Sequence, residues 1–395
     1  MLPNFFVLQW LQSLLSLAFL GGGIYALWEW WQRARDYDPN LDRYVFNPDW
    51  GWNGQTALLA LGLFLLLWTF AGRFLLMPLL GRPPKSDPDD GEDLAPVATK
   101  RLARPDGSEL HVEFYGPEDA PPLVLTHAWS LDGGEWKHLK RQLGNRFRLI
   151  AWELPGHGRS KRAKNLDYSL ENLADHLEAV WRLVGDRPAL LLGHSIGGMI
   201  VLTFCRRFPK TLGAGISGLV LEHTTYTNPL RTALFSGLLT ALERPLIVPM
   251  AHLTIWLSPL VWVMNWMNYL NGNSHLATRL TGFTGKGTWS QIERVTRPQA
   301  RPWPAVLASG TLGMLAYDAT KTLPKIHIPT LVIAGDQDPL CKPEASEFIH
   351  ANVPSAQLYK LSPARHMGGI EHHTRFAELI SEFAQATLQG RKTKQ

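Results

Sequence analysis

The chain has 395 residues, of which 45% are hydrophobic and 18% charged, with a formal net charge of +5 at pH 7. This composition excludes a disordered chain and allows one large folded domain with additional segments. The basic residues are scattered and form no run interleaved with aromatic residues, so we expect no nucleic-acid partner. Cys205 and Cys341 are the two cysteines, which excludes a disulfide framework and a cysteine-rich metal site.

Two long apolar segments occupy the N-terminal part of the chain. Residues 5–28 carry no charge, and as a helix they would be about 36 Å long, more than the roughly 30 Å of a bilayer core. Residues 56–80 are interrupted only by Arg73, which lies near one end and can reach the headgroups. These segments predict a transmembrane helical hairpin over residues 1–80. A cleaved signal peptide is the alternative for the first segment.

The segment that follows the hairpin predicts a linker. Residues 81–98 are rich in proline and acidic residues and show no periodicity. Basic residues are slightly more frequent after the second apolar segment (Arg82, Lys85, Lys100, Arg101) than between the two segments (Arg33, Arg35, Arg43). The positive-inside rule therefore slightly favours the cytoplasmic side for the rest of the chain.

From residue 99 onward, short apolar or alternating segments alternate with segments of helical periodicity. The predicted strands cover residues 109–115, 123–127, 147–152, 189–192, 218–222, 330–334 and 357–361, and predicted helices cover 170–183 and 196–207. This alternation predicts a parallel sheet covered by helices. Functional groups in such sheets gather at the carboxyl ends of the strands. Ser195, Asp338 and His366 each follow a predicted strand.

Ser195 lies in the motif Gly-His-Ser-Ile-Gly, between a predicted strand and a predicted helix. A nucleophile at such a turn needs a sharp, strained backbone, and Gly193 and Gly197 remove side chains that would collide there. The amide of Ile196 would lie at a helix N-terminus, where free N–H groups favour an oxyanion. A glycine-rich turn with an incidental serine is the alternative explanation of this motif taken alone.

A serine hydroxyl becomes a good nucleophile only beside a base, and the base needs a carboxylate to orient it. Ser195, Asp338 and His366 supply these groups in chain order. Asp336 is the alternative acid, because an aspartate before a proline, as in Asp338-Pro339, also favours a turn. The other histidines near the motifs, His127, His157 and His194, are expected to stabilise turns through hydrogen bonds.

Over residues 99–390 the sequence resembles the α/β-hydrolase superfamily. The resemblance rests on Thr126-His127-Ala128-Trp129, the turn at residues 155–160, the Ser195 motif and the Gly335–Asp338 and His366 segments. It implies an α/β fold with a mostly parallel sheet and a helical cap, and it favours Asp338 over Asp336. It also implies catalytic Ser195, Asp338 and His366, an oxyanion hole formed by the amides of Trp129 and Ile196, and no metal or organic cofactor. The sequence departs from the family at Ala128 and Arg365, where glycine is usual.

The same resemblance divides the chain into residues 99–224, the first part of the core, 225–323, a cap insertion, and 324–390, the second part. Within the insertion, residues 246–270 carry no formal charge and are long enough for a third span. A third span would place the two parts of the sheet on opposite sides of the membrane and separate Ser195 from His366. We therefore expect kinked cap helices that line an apolar pocket or enter the membrane interface, with ordinary cap packing as the alternative.

These features predict a membrane-anchored serine hydrolase that cleaves carboxylic esters with lipid-like or apolar acyl groups. The expected partners are a small ester or lipid substrate and the lipid bilayer, while protein partners stay open. A non-catalytic membrane receptor or scaffold with the same fold is one alternative. An acyltransferase or perhydrolase that uses the same acyl-enzyme is another.

Overall fold

The computed structural model describes residues 3–82, 91–285 and 287–392. The N-terminal part consists of two long helices, α1 (Pro3–Arg33) and α2 (Gly54–Leu80), joined by a hairpin of two short strands, β1 (Arg35–Asp38) and β2 (Arg43–Phe46). Asn53 caps α2 by accepting hydrogen bonds from the amides of Gln55 and Thr56. Both helices are long and apolar enough to cross a membrane. Residues 83–90 of the predicted linker lie outside the described residues.

An eight-stranded sheet forms the centre of the rest of the chain, in the order β10-β9-β8-β7-β5-β6-β4-β3. Its strands are β3 (Ala98–Ala103), β4 (Glu109–Tyr115), β5 (Pro122–Thr126), β6 (Arg148–Trp152), β7 (Ala189–His194), β8 (Ile216–Glu222), β9 (Thr330–Gly335) and β10 (Ala356–Leu361). All neighbouring strands from β6 to β10 along the sheet run parallel, and β4 is antiparallel to both its neighbours. The prediction of a mostly parallel sheet is confirmed.

Helices cover both faces of this sheet. The α-helices that follow α2 in the chain are α3 (Lys137–Leu143), α4 (Leu170–Trp181), α5 (Ile196–Arg207), α6 (Pro229–Thr232), α7 (Ser236–Leu242), α8 (Val248–Trp256), α9 (Ser258–Leu270), α10 (Asn273–Gly282), α11 (Trp289–Gln299), α12 (Pro304–Leu315), α13 (Pro343–Asn352), α14 (Gly368–Glu371) and α15 (His373–Lys392). Helices α4, α5 and α13 contribute buried residues to the core on one face, and α3 and α15 to the core on the other. Helices α6 to α12 lie between β8 and β9 in the chain, where the sequence predicts the cap.

The apolar segment 246–270 is not one straight helix. Helix α8 ends at Trp256 and α9 begins at Ser258, next to Pro259. The helical run Ser236–Trp256 is long and apolar enough to be a third candidate span. The strands on either side of it nevertheless pair in one sheet, with Leu219 opposite Thr330, so a single complete crossing between them is excluded.

A polar stripe on α1 attaches this helix to the cap. Its members, at positions i, i+3, i+4 and i+7, are Gln9, Gln12, Ser13 and Ser16. Ser16 Oγ donates to Asn268 Oδ1 at 2.7 Å and accepts from Asn271 Nδ2 at 2.6 Å, and Asn268 Nδ2 donates to Ser13 Oγ at 2.8 Å. Both serines are buried. The N-terminal half of the apolar helix α1 is therefore hydrogen-bonded to α9 and the turn after it.

The C-terminal end of α2 contacts the cap on another side. Arg279 Nε of α10 donates to the carbonyl of Leu80 at 2.9 Å, and Trp289 Nε1 of α11 donates to the carbonyl of Gly81 at 2.7 Å. Met77 and Leu80 pack against a buried cluster that includes Leu131 and Met367. The second long helix therefore supports the cap helices that stand over the sheet.

The polar stripe leads to a prediction for stability. Replacing Ser16 with valine leaves the buried amides of Asn268 and Asn271 without this partner, so Ser16→Val should lower the free energy of unfolding by about 1–2 kcal/mol. The measurement is the thermal midpoint of the full chain in detergent. Leu14→Val, on a side of the same helix where the side chain is 54% exposed, is the control. A midpoint for Ser16→Val equal to that of the control would contradict this role of the stripe.

Candidate active site

Ser195 occupies a strained turn between β7 and α5. Its backbone has φ +57° and ψ −117°, a combination that residues other than glycine rarely adopt. A Cβ atom on Gly193 would lie 2.3 Å from the backbone of Gly197, and one on Gly197 would lie 2.2 Å from the carbonyl oxygen of Thr126. Glycine is therefore required at both positions for α5 to start this close to β5 and β7. Thr224 stabilises this turn, because its Oγ1 donates a hydrogen bond to the carbonyl oxygen of Ser195 at 2.6 Å.

The structure brings Ser195, Asp338 and His366 together at the carboxyl ends of β7, β9 and β10. His366 Nε2 lies 3.0 Å from Ser195 Oγ, and His366 Nδ1 lies 2.8 Å from Asp338 Oδ2. All three side chains are buried. This is the hydrogen-bonding order that a serine nucleophile, a base and an orienting carboxylate require.

Asp336, the alternative acid, has a different set of partners. Its Oδ1 accepts from the amide of Ala364 at 2.9 Å, and its Oδ2 accepts from Ser362 Oγ at 2.7 Å. These bonds stabilise the turn that precedes His366. Asp338, by contrast, contacts the imidazole itself and uses its other oxygen to accept from the amides of Leu340 and Cys341.

The electrostatic surroundings set the protonation of His366 and Asp338. Burial lowers the pKa of His366 below its ordinary value, although the Asp338 carboxylate opposes this. Burial acts to raise the pKa of Asp338, but the His366 ring and the amide of Cys341 reverse the effect, and the pKa of Asp338 is lowered. At neutral pH the imidazole is therefore neutral and able to accept a proton, while the carboxylate is ionised.

The two predicted oxyanion donors are the amides of Ile196 and Trp129. Ile196 is the first residue of α5, so its amide belongs to the first turn, where N–H groups have no partner within the helix. Trp129 lines the same pocket as Ser195 and His366. In the loop that follows β5 and contains Trp129, Ser130 has a positive φ of +66°. The sequence has alanine at position 128 where the family usually has glycine, and the sharp turn of this loop falls two residues later.

Two of the neighbouring histidines stabilise turns, as predicted. His127 Nε2 accepts from the amide of Leu154 at 3.0 Å, and His157 Nε2 accepts from the amide of Ser130 at 3.2 Å. His194 differs, because its ring contacts the carboxylate of Glu135 and the carbonyl of His366. Sequence reasoning missed Glu135. The only local signal was a single acidic residue between two glycines and a tryptophan, which does not show that the side chain is buried.

The pocket above Ser195 is small and mostly apolar. Its volume is about 50 Å³. Helices α10 and α11 form the side opposite the sheet. The lining residues include Ala128, Trp129, Leu131, Ala277, Thr278, Thr281, Val295, Gln299, Leu340 and Met367. An apolar group attached to a carbonyl at Ser195 would therefore contact hydrocarbon side chains on most sides.

Within the described ranges, one group of side chains has the spacing of a metal site. The ligand atoms of His194, Glu222 and His223 lie within 4.8 Å of one another, and all three residues are buried. Both ring nitrogens of His194 already contact other groups, Glu135 and the carbonyl of His366. His194 therefore has no ring nitrogen available for a metal ion in this arrangement.

Residues 121–373 match the family described as alpha/beta hydrolase fold. The chain is 27% identical over 277 residues to a pimeloyl-[acyl-carrier protein] methyl ester esterase of Nitrosospira multiformis, a match that covers 70% of this chain and 98% of that protein. It is 23% identical over 284 residues to 3-oxoadipate enol-lactonase 1 of Acinetobacter baylyi, which covers 71% of this chain and 94% of that protein.

Solved structures show the same fold. An esterase from Rhodococcus sp. ECU1013 superposes with a TM-score of 0.58 at 20% identity, covering 74% of this chain and all of that one. A bromoperoxidase from Bacillus anthracis superposes with a TM-score of 0.59 at 18% identity, covering 73% of this chain and all of that one. The family match spans more than half of the chain, and the chain belongs to the alpha/beta hydrolase fold family.

Proposed function

We propose that this protein is a membrane-anchored serine hydrolase that cleaves carboxylic esters with apolar acyl groups. The observation that carries the proposal is the buried chain of contacts from Ser195 Oγ to His366 Nε2 and from His366 Nδ1 to Asp338. Such a chain activates a serine hydroxyl that is otherwise a poor nucleophile. The curated relatives, named as a methyl ester esterase and an enol-lactonase, support an ester as the substrate.

In the proposed reaction Ser195 Oγ attacks the ester carbonyl while His366 Nε2 takes its proton. The amides of Trp129 and Ile196 stabilise the oxyanion, and each such donor contributes about 3–4 kcal/mol to the transition state. His366 then returns the proton to the departing alcohol, which leaves an acyl group on Ser195. Water attacks this acyl-enzyme, again giving its proton to His366, and the carboxylic acid departs as Ser195 regains its proton.

The lining of the pocket supports an apolar acyl group. Ala277, Val295 and Met367 stand around the position that the acyl chain would take. The cavity of about 50 Å³ is well below the roughly 300 Å³ of a typical ligand pocket. A long acyl chain therefore requires α10 or α11 to move outward, and we include that movement in the proposal.

The exposed surface of the N-terminal helices and the cap supports the membrane anchor. Apolar side chains of α1 and α2 are exposed along their length, including Leu11, Leu14, Ile24, Leu61, Phe64, Leu67 and Phe74. The cap helices α8 and α9 continue this surface with exposed Leu253, Trp256, Leu260, Trp262 and Val263. Exposed apolar patches of this kind are typical of a membrane contact. Because α1 is hydrogen-bonded to α9, we propose that α1, α2 and part of the cap share the bilayer.

A fluorophosphonate probe applied to membranes washed with alkaline carbonate tests both parts of this function. The full chain should stay in the washed membrane, and Ser195 should be labelled. Ser195→Ala should abolish labelling, and His366→Ala should slow it by at least about a thousandfold, since the base is lost. His350→Ala, an exposed histidine of α13, is the control. Release by carbonate would contradict the anchor, and labelling that persists in Ser195→Ala would contradict the nucleophile.

The labelling rate should also depend on pH through His366. A protonated His366 cannot accept the proton of Ser195, so the rate is lost as the pH falls through the pKa of His366. Because burial lowers this pKa, the midpoint of the acidic limb should lie below about pH 6.5, the ordinary histidine value. Unfolding midpoints over the same pH range separate this effect from acid denaturation. If the midpoint of the acidic limb lies above about pH 7, the pKa of the His366 imidazole is not lowered.

A further inference from the structure

A second buried pair of ionisable side chains, Glu135 and His194, lies directly behind the Ser195 triad. His194 precedes Ser195 in the chain and is 1% exposed, and Glu135 lies in the turn before α3 and is 7% exposed. His194 Nδ1 contacts Glu135 Oε1, and His194 Nε2 lies 3.0 Å from the carbonyl oxygen of His366. The steps proposed above for ester cleavage do not use this pair.

The partners of His194 indicate which form of the ring is present. A carboxylate and a carbonyl both accept hydrogen bonds, whereas a neutral imidazole has a single N–H to donate. Donating to both groups requires a proton on each ring nitrogen, so His194 is an imidazolium. Burial acts to lower the pKa of His194, but the carboxylates of Glu135 and Glu222 raise it to about 9. The ring therefore keeps its charge at neutral pH.

Glu135 makes a second contact, on the other side of the site. Its Oε2 accepts from the backbone amide of Ala128 at 2.9 Å. Ala128 directly precedes Trp129, the residue whose amide we assign to the oxyanion hole. Through Glu135 and His194, the loop after β5 is therefore connected to the backbone of His366, which follows β10 on the far side of β7, β8 and β9.

We propose that Glu135 and His194 are positioning residues that hold the Trp129 amide and the His366 imidazole in register around Ser195 Oγ. The inference rests on the proposed ester hydrolysis. Both anchored groups belong to loops at the carboxyl edge of the sheet, where strand pairing no longer fixes them. A misplacement of about 1 Å at such a site lowers the rate by roughly a hundredfold, so a rigid connection between these loops affects the reaction directly.

The energetics of the pair agree with a positioning role. Burying two charges carries a desolvation cost that often cancels their attraction, so a buried ion pair is weak evidence for a role in stability. Here each charge has a further fixed contact, Ala128 N for Glu135 and the His366 carbonyl for His194. Glu222 and His223 pack on the same side, with the His223 ring 5.8 Å from that of His194. The contacts of Glu135 with Ala128 N and of His194 with the His366 carbonyl both end on backbone groups next to the reacting centre.

Steady-state kinetics of the full chain on a 4-nitrophenyl ester test this inference. Glu135→Gln keeps the shape of the side chain but removes its charge, and it should lower kcat by about 10- to 100-fold while KM changes less than about threefold. His194→Gln keeps a donor in the position of Nε2 and should retain more activity than His194→Phe. If the pair served only the stability of the fold, the loss of kcat in each variant would follow the loss in its unfolding midpoint. The order of activity of His194→Gln and His194→Phe therefore separates positioning from stability.

A second buried pair of a histidine and a carboxylate supplies the control. His176 Nε2 lies 3.1 Å from Asp106 Oδ2, and both side chains are buried. Asp106→Asn should change the unfolding midpoint without the selective loss of kcat. Wild-type kcat in Glu135→Gln, or an equal loss in Asp106→Asn and Glu135→Gln, would overturn the positioning role. If Glu135→Gln does not fold, the order of His194→Gln and His194→Phe decides. A wild-type protein that does not react would instead overturn the proposed hydrolase function.

Discussion

The close approach of α5 to β5 is the constraint on which the rest of the site depends. Gly197 lies so near the carbonyl of Thr126 that a Cβ atom would come within 2.2 Å of it. Beside this contact, Ser195 has a positive φ of +57°, and the amide of Ile196 lies at the start of a helix. The contact also brings the start of α5 beside the end of β5, where the Trp129 loop begins. The proposed nucleophile and the amide of Ile196 are therefore placed by one backbone contact.

The remaining parts of the site depend on connections between loops. Asp336 braces the turn before His366, Asp338 orients the imidazole, and Glu135 with His194 connects the His366 backbone to the opposite loop. The cap closes the pocket from above and is itself held by both long N-terminal helices. A polar stripe inside α1 would be costly for a simple membrane anchor, because buried polar groups need partners. Its partners are the asparagines of the cap, so α1 is part of the domain that covers the site.

Patterns along the chain predicted most of the parallel strands and the residues that meet at their ends. Ser195, Asp338 and His366 could be found because each follows a short apolar strand in a glycine-rich or acidic turn. Strand β3 was missed, since five of its six residues are exposed and two of them, Lys100 and Arg101, are charged. Glu135 and the asparagines that meet α1 were missed for another reason. His194 is 59 residues from Glu135 in the chain, and Ser16 is 252 residues from Asn268. No local periodicity reports contacts between such distant residues.

In the proposed reaction, Ser195 carries an acyl group from an apolar ester beneath the cap. The most direct measurement is the mass of the Ser195 peptide after the full chain, held in lipid bilayers, is mixed rapidly with 4-nitrophenyl esters of increasing acyl length. We expect an acyl adduct on this peptide that forms faster with medium or long chains than with acetate. An adduct on another residue, no adduct with any ester, or a rate that falls steadily with chain length would contradict it.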